Sequence, residues 1–122
     1  ECAARLTRRG LRAYVLGGML KQGTVAIVGT EALLSLGRYN FTKAFLGTNG
    51  IAVSQGFTTP DPEEAAIKAM AAERAQRVYV LADASKFGTV TAAGMFPLER
   101  AQIITDRLPD RRYLEYTSVK EV

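Results

Sequence analysis

The chain has 122 residues, which suits one domain built around a single hydrophobic core. Its 48% hydrophobic and 23% charged residues are typical of a globular protein, and no run approaches the ~20 apolar residues of a membrane span. The lack of histidine and the single cysteine, Cys2, exclude an internal disulfide, a histidine-dependent catalytic triad and a typical zinc site. We therefore expect a cytoplasmic protein with no membrane contact, no metal and no cofactor.

The amino end is predicted to be a basic helix over residues 3–9 that ends before Gly10. Part of the net charge of +4 is concentrated here, in Arg5, Arg8, Arg9 and Arg12. A basic stretch can face a polyanion, but surfaces that bind single-stranded nucleic acid interleave aromatic residues with the cations, and none stands among these arginines. We interpret them as a solvated helix face.

Three short elements are predicted before residue 40. Residues 11–16 form an apolar run that predicts a strand, and the paired glycines after it, Gly17 and Gly18, mark a loop. Residues 24–28 are apolar and partly β-branched, which predicts a second strand. The sequence EALLSL that follows predicts a short helix.

A longer helix is predicted after a brief strand over residues 43–46. Its start carries a clear pattern, with Asp61 as the N-cap, Pro62 at the first helical position and Glu64 completing a pair that resembles a capping box. The residues predicted to face a sheet are Ile67, Met70 and Ala71.

The second half of the chain continues the alternation of strands and helices. Residues 78–82 form a continuous apolar run, as expected of a strand buried on both faces of a parallel sheet, and residues 102–105 repeat the pattern. Short helical turns are predicted over residues 97–101 and 110–115, a terminal strand over residues 117–122, and residues 89–95 are ambiguous. The fold class predicted from these elements is α/β, with a mostly parallel sheet flanked by helices.

Glycines and polar residues follow the predicted strands, where open parallel sheets bind ligands. Neither a dinucleotide-binding GxGxxG nor a Walker A lysine motif occurs. Three carboxylates at the start of the long helix, those of Asp61, Glu63 and Glu64, would repel a phosphate there. Gly29 and Thr30 offer a weaker turn for an anion.

Several residues of these loops have both a structural and a ligand-binding interpretation. Three glycines either supply a backbone conformation that other residues rarely adopt or let the backbone approach a ligand closely. They are Gly47, Gly50 and Gly56. Thr58 can donate its hydroxyl to a ligand or begin the turn before the helix. Lys86 can neutralise a phosphate, or it can simply pair with Asp83 three residues earlier.

Seven fragments between residues 17 and 106 together resemble a known family. They are GGMLKQ, VGTEALLSL, FLGTNGI, QGFTTPDPEEAAIKAM, VLADASKFG, FPLE and IITD. In combination they look like the sensor domain of DeoR-type bacterial transcriptional repressors. The resemblance implies a fold similar to that of ribose-5-phosphate isomerase and the CoA transferases, and a domain that binds phosphorylated sugars or related metabolites.

Comparison with the isomerase separates binding from catalysis. The sequence ADASK followed by FPLE resembles a stretch of the enzyme, which implies that Asp83 and Lys86 face the ligand. The isomerase carries carboxylates in the loop that aligns with LGTNGI, because moving a proton between two carbons needs a positioned base. This chain has Leu46 and Asn49 there, and an amide accepts and donates hydrogen bonds but is not a base near neutral pH.

The resemblance therefore implies the effector-binding domain of a repressor of a carbohydrate-utilisation operon, not an enzyme. Its partners are a phosphorylated sugar and a second copy in a homo-oligomer. The predicted ligand-binding residues are Gly17, Gly18, Gly47, Asn49, Gly50, Gly56, Thr58, Asp83 and Lys86, with Glu64 and Lys68 as weaker candidates near the position of the isomerase's catalytic glutamate. The alternatives are an active sugar-phosphate isomerase and a purely structural dimerisation domain.

The family's order of segments also implies what this chain lacks. Family members carry a strand and a phosphate-binding loop before the region that corresponds to Arg12, and a winged helix-turn-helix domain before that. We therefore expect residues 1–122 to be a partial sensor domain. DNA would be bound only through the absent amino-terminal domain.

Overall fold

The computed structural model describes all of residues 1–122 and contains three helices, none long and apolar enough to cross a membrane. The helices are α1 (Cys2–Arg8), α2 (Thr30–Leu36) and α3 (Pro62–Glu73). The strands are β1 (Met19–Leu20), β2 (Ile27–Val28), β3 (Phe41–Gly47), β4 (Gly50–Ala52), β5 (Gly56–Thr59), β6 (Ala75–Leu81), β7 (Ala93–Phe96), β8 (Gln102–Thr105) and β9 (Val119–Glu121). Single 3₁₀ turns span Ala84–Lys86, Leu98–Arg100 and Arg111–Glu115.

A four-stranded parallel sheet in the order β3-β6-β8-β9 forms the centre of the molecule. In register, Leu46 lies beside Val80, which lies beside Ile103 and then Val119. This sheet confirms the predicted α/β class, together with the strands predicted over residues 43–46, 78–82, 102–105 and 117–122. The expected burial of both faces is wrong: from Val78 onward the buried side chains of β6 and β8 lie on one face of the sheet, and Leu81 on the other face is 48% exposed. The buried side chains are Val78, Val80, Ile103 and Thr105.

A second sheet, antiparallel and made of β4, β5 and β7, packs beside the first and is not predicted by the sequence. Its strands have three or four residues, too few for an alternating pattern to be recognised. Gly56 begins β5 with a φ of +71°, a conformation that favours glycine, and turns the chain back from β4. Both sheets contribute to one cluster of 13 buried residues.

Helix α3 begins where the sequence predicts. The Asp61 carboxylate accepts the N–H of Glu63 at 3.0 Å, and Pro62 occupies the first helical position. The predicted capping box does not form, because the Glu64 carboxylate accepts no hydrogen bond from the Asp61 N–H. The Asp61 carboxylate pairs with the Lys21 ammonium as well as capping the helix. A longer-range ion pair therefore takes part in capping this helix.

The buried face of α3 differs from the predicted one. Ala65 and Ala72 are buried, whereas Ile67, Met70 and Ala71 are only half-buried. The helix packs against α2 as well as against both sheets, so its apolar side chains are shared among several neighbours. The two buried positions of α3 are both alanines.

The amino-terminal segment is the least packed part of the chain. Helix α1 and the stop at Gly10 are confirmed, but α1 buries no residue. The strand predicted over residues 11–16 is wrong: Tyr14 and Val15 are 80% and 66% exposed, and no neighbouring strand lies beside them to complete a ladder. The strand predicted over residues 24–28 shortens to β2, paired with β1, and the short helix predicted next is α2.

Candidate functional site

Three neighbouring strands of the parallel sheet end at the same edge, and their loops form the candidate site. Strand β3 leads into Thr48 and Asn49, β6 leads into Asp83, and β8 leads into Asp106. The N–H of Ala84 donates to the Asp106 carboxylate at 2.8 Å, which joins the loops after β6 and β8. The polar residues that the sequence places after these strands are therefore brought together at one edge.

Buried threonines form the floor of this edge. The Thr48 hydroxyl lies 2.9 Å from the Thr58 carbonyl and 3.0 Å from the Gly50 carbonyl, so it can donate to either. The Thr58 hydroxyl accepts the N–H of Thr91 at 2.9 Å and lies 2.8 Å from the Thr91 hydroxyl. Thr58 is 3% exposed, so its hydroxyl is engaged within the protein and supports the loop above it.

Asn49 stands on this floor and faces solvent. Its Oδ1 accepts the hydroxyl of fully buried Thr59 at 3.0 Å, and its backbone N–H donates to the Thr58 carbonyl at 3.0 Å. The first bond fixes the side-chain amide, and the second fixes the backbone of Asn49. Its Nδ2 makes no hydrogen bond within the protein and is left to donate outward.

Two lysines reach the same edge from different elements. Lys68, in the middle of α3, donates from Nζ to the Gly47 carbonyl at 3.0 Å. Lys86 lies in the 3₁₀ turn after β6, with its Nζ 3.8 Å from the Asp83 carboxylate and its side chain 35% exposed. Each ammonium keeps donors that the protein does not use, because a lysine has three.

Asp83 acts first as a cap. Its carboxylate accepts the N–H of Ser85 at 2.9 Å and also the Ser85 hydroxyl. These bonds, with a smaller contribution from the charge of Lys86, hold the pKa of Asp83 below its usual value. A carboxylate stabilised in this way is a weak base.

The glycines of the site divide into two kinds. A Cβ on Gly50 would lie 2.3 Å from the Thr89 carbonyl oxygen, and one on Gly56 would lie 2.4 Å from the Phe96 carbonyl oxygen. Both positions need glycine because backbone packs against them. Gly47 has no atom within 4 Å of the corresponding position and is open to solvent.

The remaining candidates lie on the loop before β1 and on α3. Gly18 has a φ of +143° and packs against Val28 and Ala32, and it lines a cavity of about 310 Å³ at the start of α2. Gly17 is exposed beside it. Glu64 lies in the first turn of α3, where its charge helps to raise the pKa of Lys21, after the larger effect of the Asp61 hydrogen bond.

Sequence reasoning missed the threonine floor. Thr48, Thr59 and Thr91 complete the network, and apart from the Tyr113 hydroxyl the buried polar side chains of the molecule all belong to threonines. The signal was present in the paired threonines before Pro60 and in the threonine next to Asn49. Their importance depends on the antiparallel sheet, whose short strands the sequence did not reveal.

Comparison with known proteins identifies the family. Residues 1–107 match the model of the DeoR C terminal sensor domain, so the chain belongs to this family of transcription-regulator sensor domains. It is 44% identical over 120 residues to the uncharacterized HTH-type transcriptional regulator FruR of Bacillus subtilis, covering 96% of this chain and 48% of that protein.

Other regulators align with most of this chain at lower identity. The chain is 37% identical over 105 residues to the HTH-type transcriptional regulator GlpR of Haloferax volcanii, covering 85% of this chain and 41% of that regulator. It is 30% identical over 112 residues to the deoxyribose operon repressor of Escherichia coli K12, covering 91% of this chain and 44% of that repressor. The chain thus spans about half the length of the curated relatives it matches.

Proposed function

We propose that this domain is the effector-binding part of a repressor that controls a carbohydrate-utilisation operon, and that its effector is a phosphorylated sugar. The observation that carries the proposal is that three outward-facing donors belong to the ends of the adjacent strands β3 and β6: the free amide of Asn49, the ammonium of Lys68 at the Gly47 carbonyl, and the ammonium of Lys86 beside Asp83. Amide donors suit sugar hydroxyls, and ammonium groups suit a phosphate.

The ligand would bind without being converted. Aldose-ketose interconversion needs a base near the reacting carbon, and the end of β3 and the loop after it offer Leu46 and Asn49 instead of carboxylates. Asp83 is close along the sheet edge, but its lowered pKa and its capping bonds make it a poor base. Solvent proton exchange into ribose 5-phosphate, followed by NMR, would support the isomerase alternative instead.

In the whole regulator, the part outside this chain would bind the operator, and the domain would form a homo-oligomer in the cytoplasm. A sugar phosphate that binds one state of the sensor more tightly shifts the population toward that state. Coupling free energies of this kind are typically about 1–3 kcal/mol. The name of one relative, the deoxyribose operon repressor of Escherichia coli K12, supports a carbohydrate effector.

A thermal-shift screen of phosphorylated pentoses, hexoses and polyols, each paired with its unphosphorylated form, tests the proposal. A true ligand at a hundredfold excess over its Kd stabilises a protein by about 2.7 kcal/mol. We expect one phosphorylated compound to raise the Tm, and Lys86→Met to reduce that rise. Lys43→Met, which removes an exposed lysine from the middle of β3, is the matched control.

Two results would contradict this function. If only the unphosphorylated form of a sugar raised the Tm, the proposed binding of a phosphate group by the lysines would be wrong. No stabilisation by any compound, with a well-folded protein, would favour the purely structural dimerisation domain.

A further inference from the structure

The carbonyl of Ile51 connects the two loops of the candidate site. Ile51 is fully buried in β4, two residues after Asn49. Its carbonyl accepts the N–H of Gly88 at 2.7 Å, and Gly88 lies two residues after Lys86. Ile51 and Phe87 also form an isolated parallel β-bridge between the same two segments. One carbonyl group therefore links the segment that follows Asn49 to the segment that follows Lys86.

A third segment reaches this carbonyl from the carboxyl end of the chain. The Tyr113 hydroxyl donates to the Ile51 carbonyl at 3.0 Å, across 62 positions of sequence. Tyr113 is 5% exposed and lies in the 3₁₀ turn Arg111–Glu115, beyond residue 107, where the match to the sensor-domain family ends.

The ring of Tyr113 also supports the second loop directly. It meets the ring of Phe87 edge to face, with ring centroids 4.9 Å apart and an interplanar angle of 78°. Phe87 stands between Lys86 and Gly88, so the tyrosine contacts the lysine-bearing loop through its ring and the asparagine-bearing loop through its hydroxyl.

We propose that Tyr113 is a positioning residue for the effector site, which holds the loop carrying Lys86 against the loop carrying Asn49. The ring fills the core as a phenylalanine would, so packing alone does not require the hydroxyl. The hydroxyl occupies the second lone pair of a carbonyl that already accepts Gly88, which restrains both loops at once. The binding step of this proposal rests on the proposed function, whereas the coupling of the loops does not.

Amide hydrogen exchange tests the coupling without any ligand. Tyr113→Phe keeps the ring and removes the hydroxyl, and we expect the Gly88 amide to exchange several-fold faster than in the wild type. The reference is the Phe41 amide, which donates to the Arg74 carbonyl at 2.9 Å. The matched control is Tyr116→Phe, on a partly exposed tyrosine of the same segment. Unchanged Gly88 exchange overturns the proposal, and so does an equal acceleration at Phe41, which would indicate a general loss of stability.

Binding is tested by titrating each variant with inorganic phosphate at a temperature where every variant is folded. The chemical shift of the Lys86 amide, measured by NMR, reports the bound fraction. We expect Tyr113→Phe to weaken phosphate binding about three- to tenfold and Tyr116→Phe to leave it unchanged. Equal affinities for wild type and Tyr113→Phe would overturn the positioning role. If phosphate shifts nothing in the wild type, the proposed function fails, and the exchange experiment still decides whether Tyr113 couples the loops.

Discussion

Two asparagines flank strand β3, and their surroundings predict opposite consequences for the same substitution. Asn49 follows the strand and keeps a free amide nitrogen, whereas Asn40 precedes it and accepts a hydrogen bond from Arg74 at 2.7 Å. In Asn49→Asp the Thr59 hydroxyl still has an acceptor, but the outward donor is replaced by a negative charge. We expect sugar-phosphate affinity, measured by calorimetry, to fall roughly 10- to 100-fold, since a hydrogen bond to a charged group contributes about 1.5–3 kcal/mol.

Asn40→Asp changes the net charge by the same amount and provides the control. It lies at the opposite end of β3, and its new carboxylate faces the Arg74 guanidinium. We expect no change in affinity there. A similar loss in both variants would show that overall charge, and not the Asn49 amide, governs binding.

Gly47 and Gly50 form a second matched pair of residues. Gly50→Ala would bring a Cβ to 2.3 Å from the Thr89 carbonyl, and overpacking of this kind costs roughly 1–3 kcal/mol. Gly47→Ala meets no atom within 4 Å, so we expect its stability to stay within about 0.5 kcal/mol of the wild type. Urea unfolding measures both. Equal stability of the two variants would contradict the close approach of the Thr89 backbone to Gly50.

Among the elements, the start of α3 predicts a dependence of stability on pH. The hydrogen bond from Lys21, followed by smaller contributions from the Glu63 and Glu64 backbone, lowers the pKa of Asp61 below 3.8. A carboxylate whose pKa is lower in the folded state stabilises the fold above its unfolded pKa and loses that contribution as the pH falls through the folded value. The same pair raises the pKa of Lys21 above 10.5, so its contribution is also lost at high pH.

Asp61→Asn keeps an acceptor for the Glu63 N–H and removes the charge. We expect this variant to unfold at a lower temperature than the wild type at neutral pH, and the difference to shrink as the pH falls below about 4, in thermal unfolding followed by circular dichroism. Glu99→Gln removes an exposed carboxylate that forms no ion pair and serves as the control. A constant difference between Asp61→Asn and the wild type across the whole range would exclude the ion pair as its cause.

The sequence predicts the elements whose identity depends on local signals. Asp61 with Pro62 marks the start of α3, and continuous apolar runs mark β6 and β8. Residues 11–16 show the limit of this reasoning, since an apolar run becomes a strand only when another strand lies beside it. The antiparallel sheet was missed for the opposite reason, because its strands are short and rich in glycine and threonine.

The sequence predicted where the candidate site lies but not which contacts its residues make. Strand ends locate Asn49 and Lys86 on one edge, because parallel strands share a direction. Sequence could not separate Gly47 from Gly50, or show that Thr58 is buried, because both depend on the segment around Thr89 and Thr91 returning across the sheet. Tyr113 depends on a contact over 62 positions, which no local pattern encodes.

At the scale of the whole molecule, packing is uneven along the chain. Helix α1 has seven residues and buries none of them, whereas β6 and β8 lie in the middle of the sheet. A short helix without tertiary contacts is marginal in water. We expect α1 amides to exchange at nearly unprotected rates, and the Ala82 amide, which donates to the Ile104 carbonyl at 3.1 Å, to exchange roughly a thousandfold more slowly or slower still, as stabilities of about 5 kcal/mol or more require.

Mass spectrometry after timed exchange checks this distribution. The control is α2, a helix of the same length that buries Ala32 and Leu36, for which we expect intermediate protection. Protection of α1 equal to that of α2 would show that α1 packs against another surface in solution.

The threonine floor has a consequence for ionic strength. The only buried polar side chains of the domain are uncharged hydroxyls, while the cations Lys68 and Lys86 stand at the rim. The Debye length falls from about 30 Å at 0.01 M salt to about 3 Å at 1 M, so dissolved ions screen the rim and leave the floor untouched. We therefore expect added salt to weaken the binding of the proposed anionic effector at the rim lysines and to leave the internal hydrogen bonds of the floor intact.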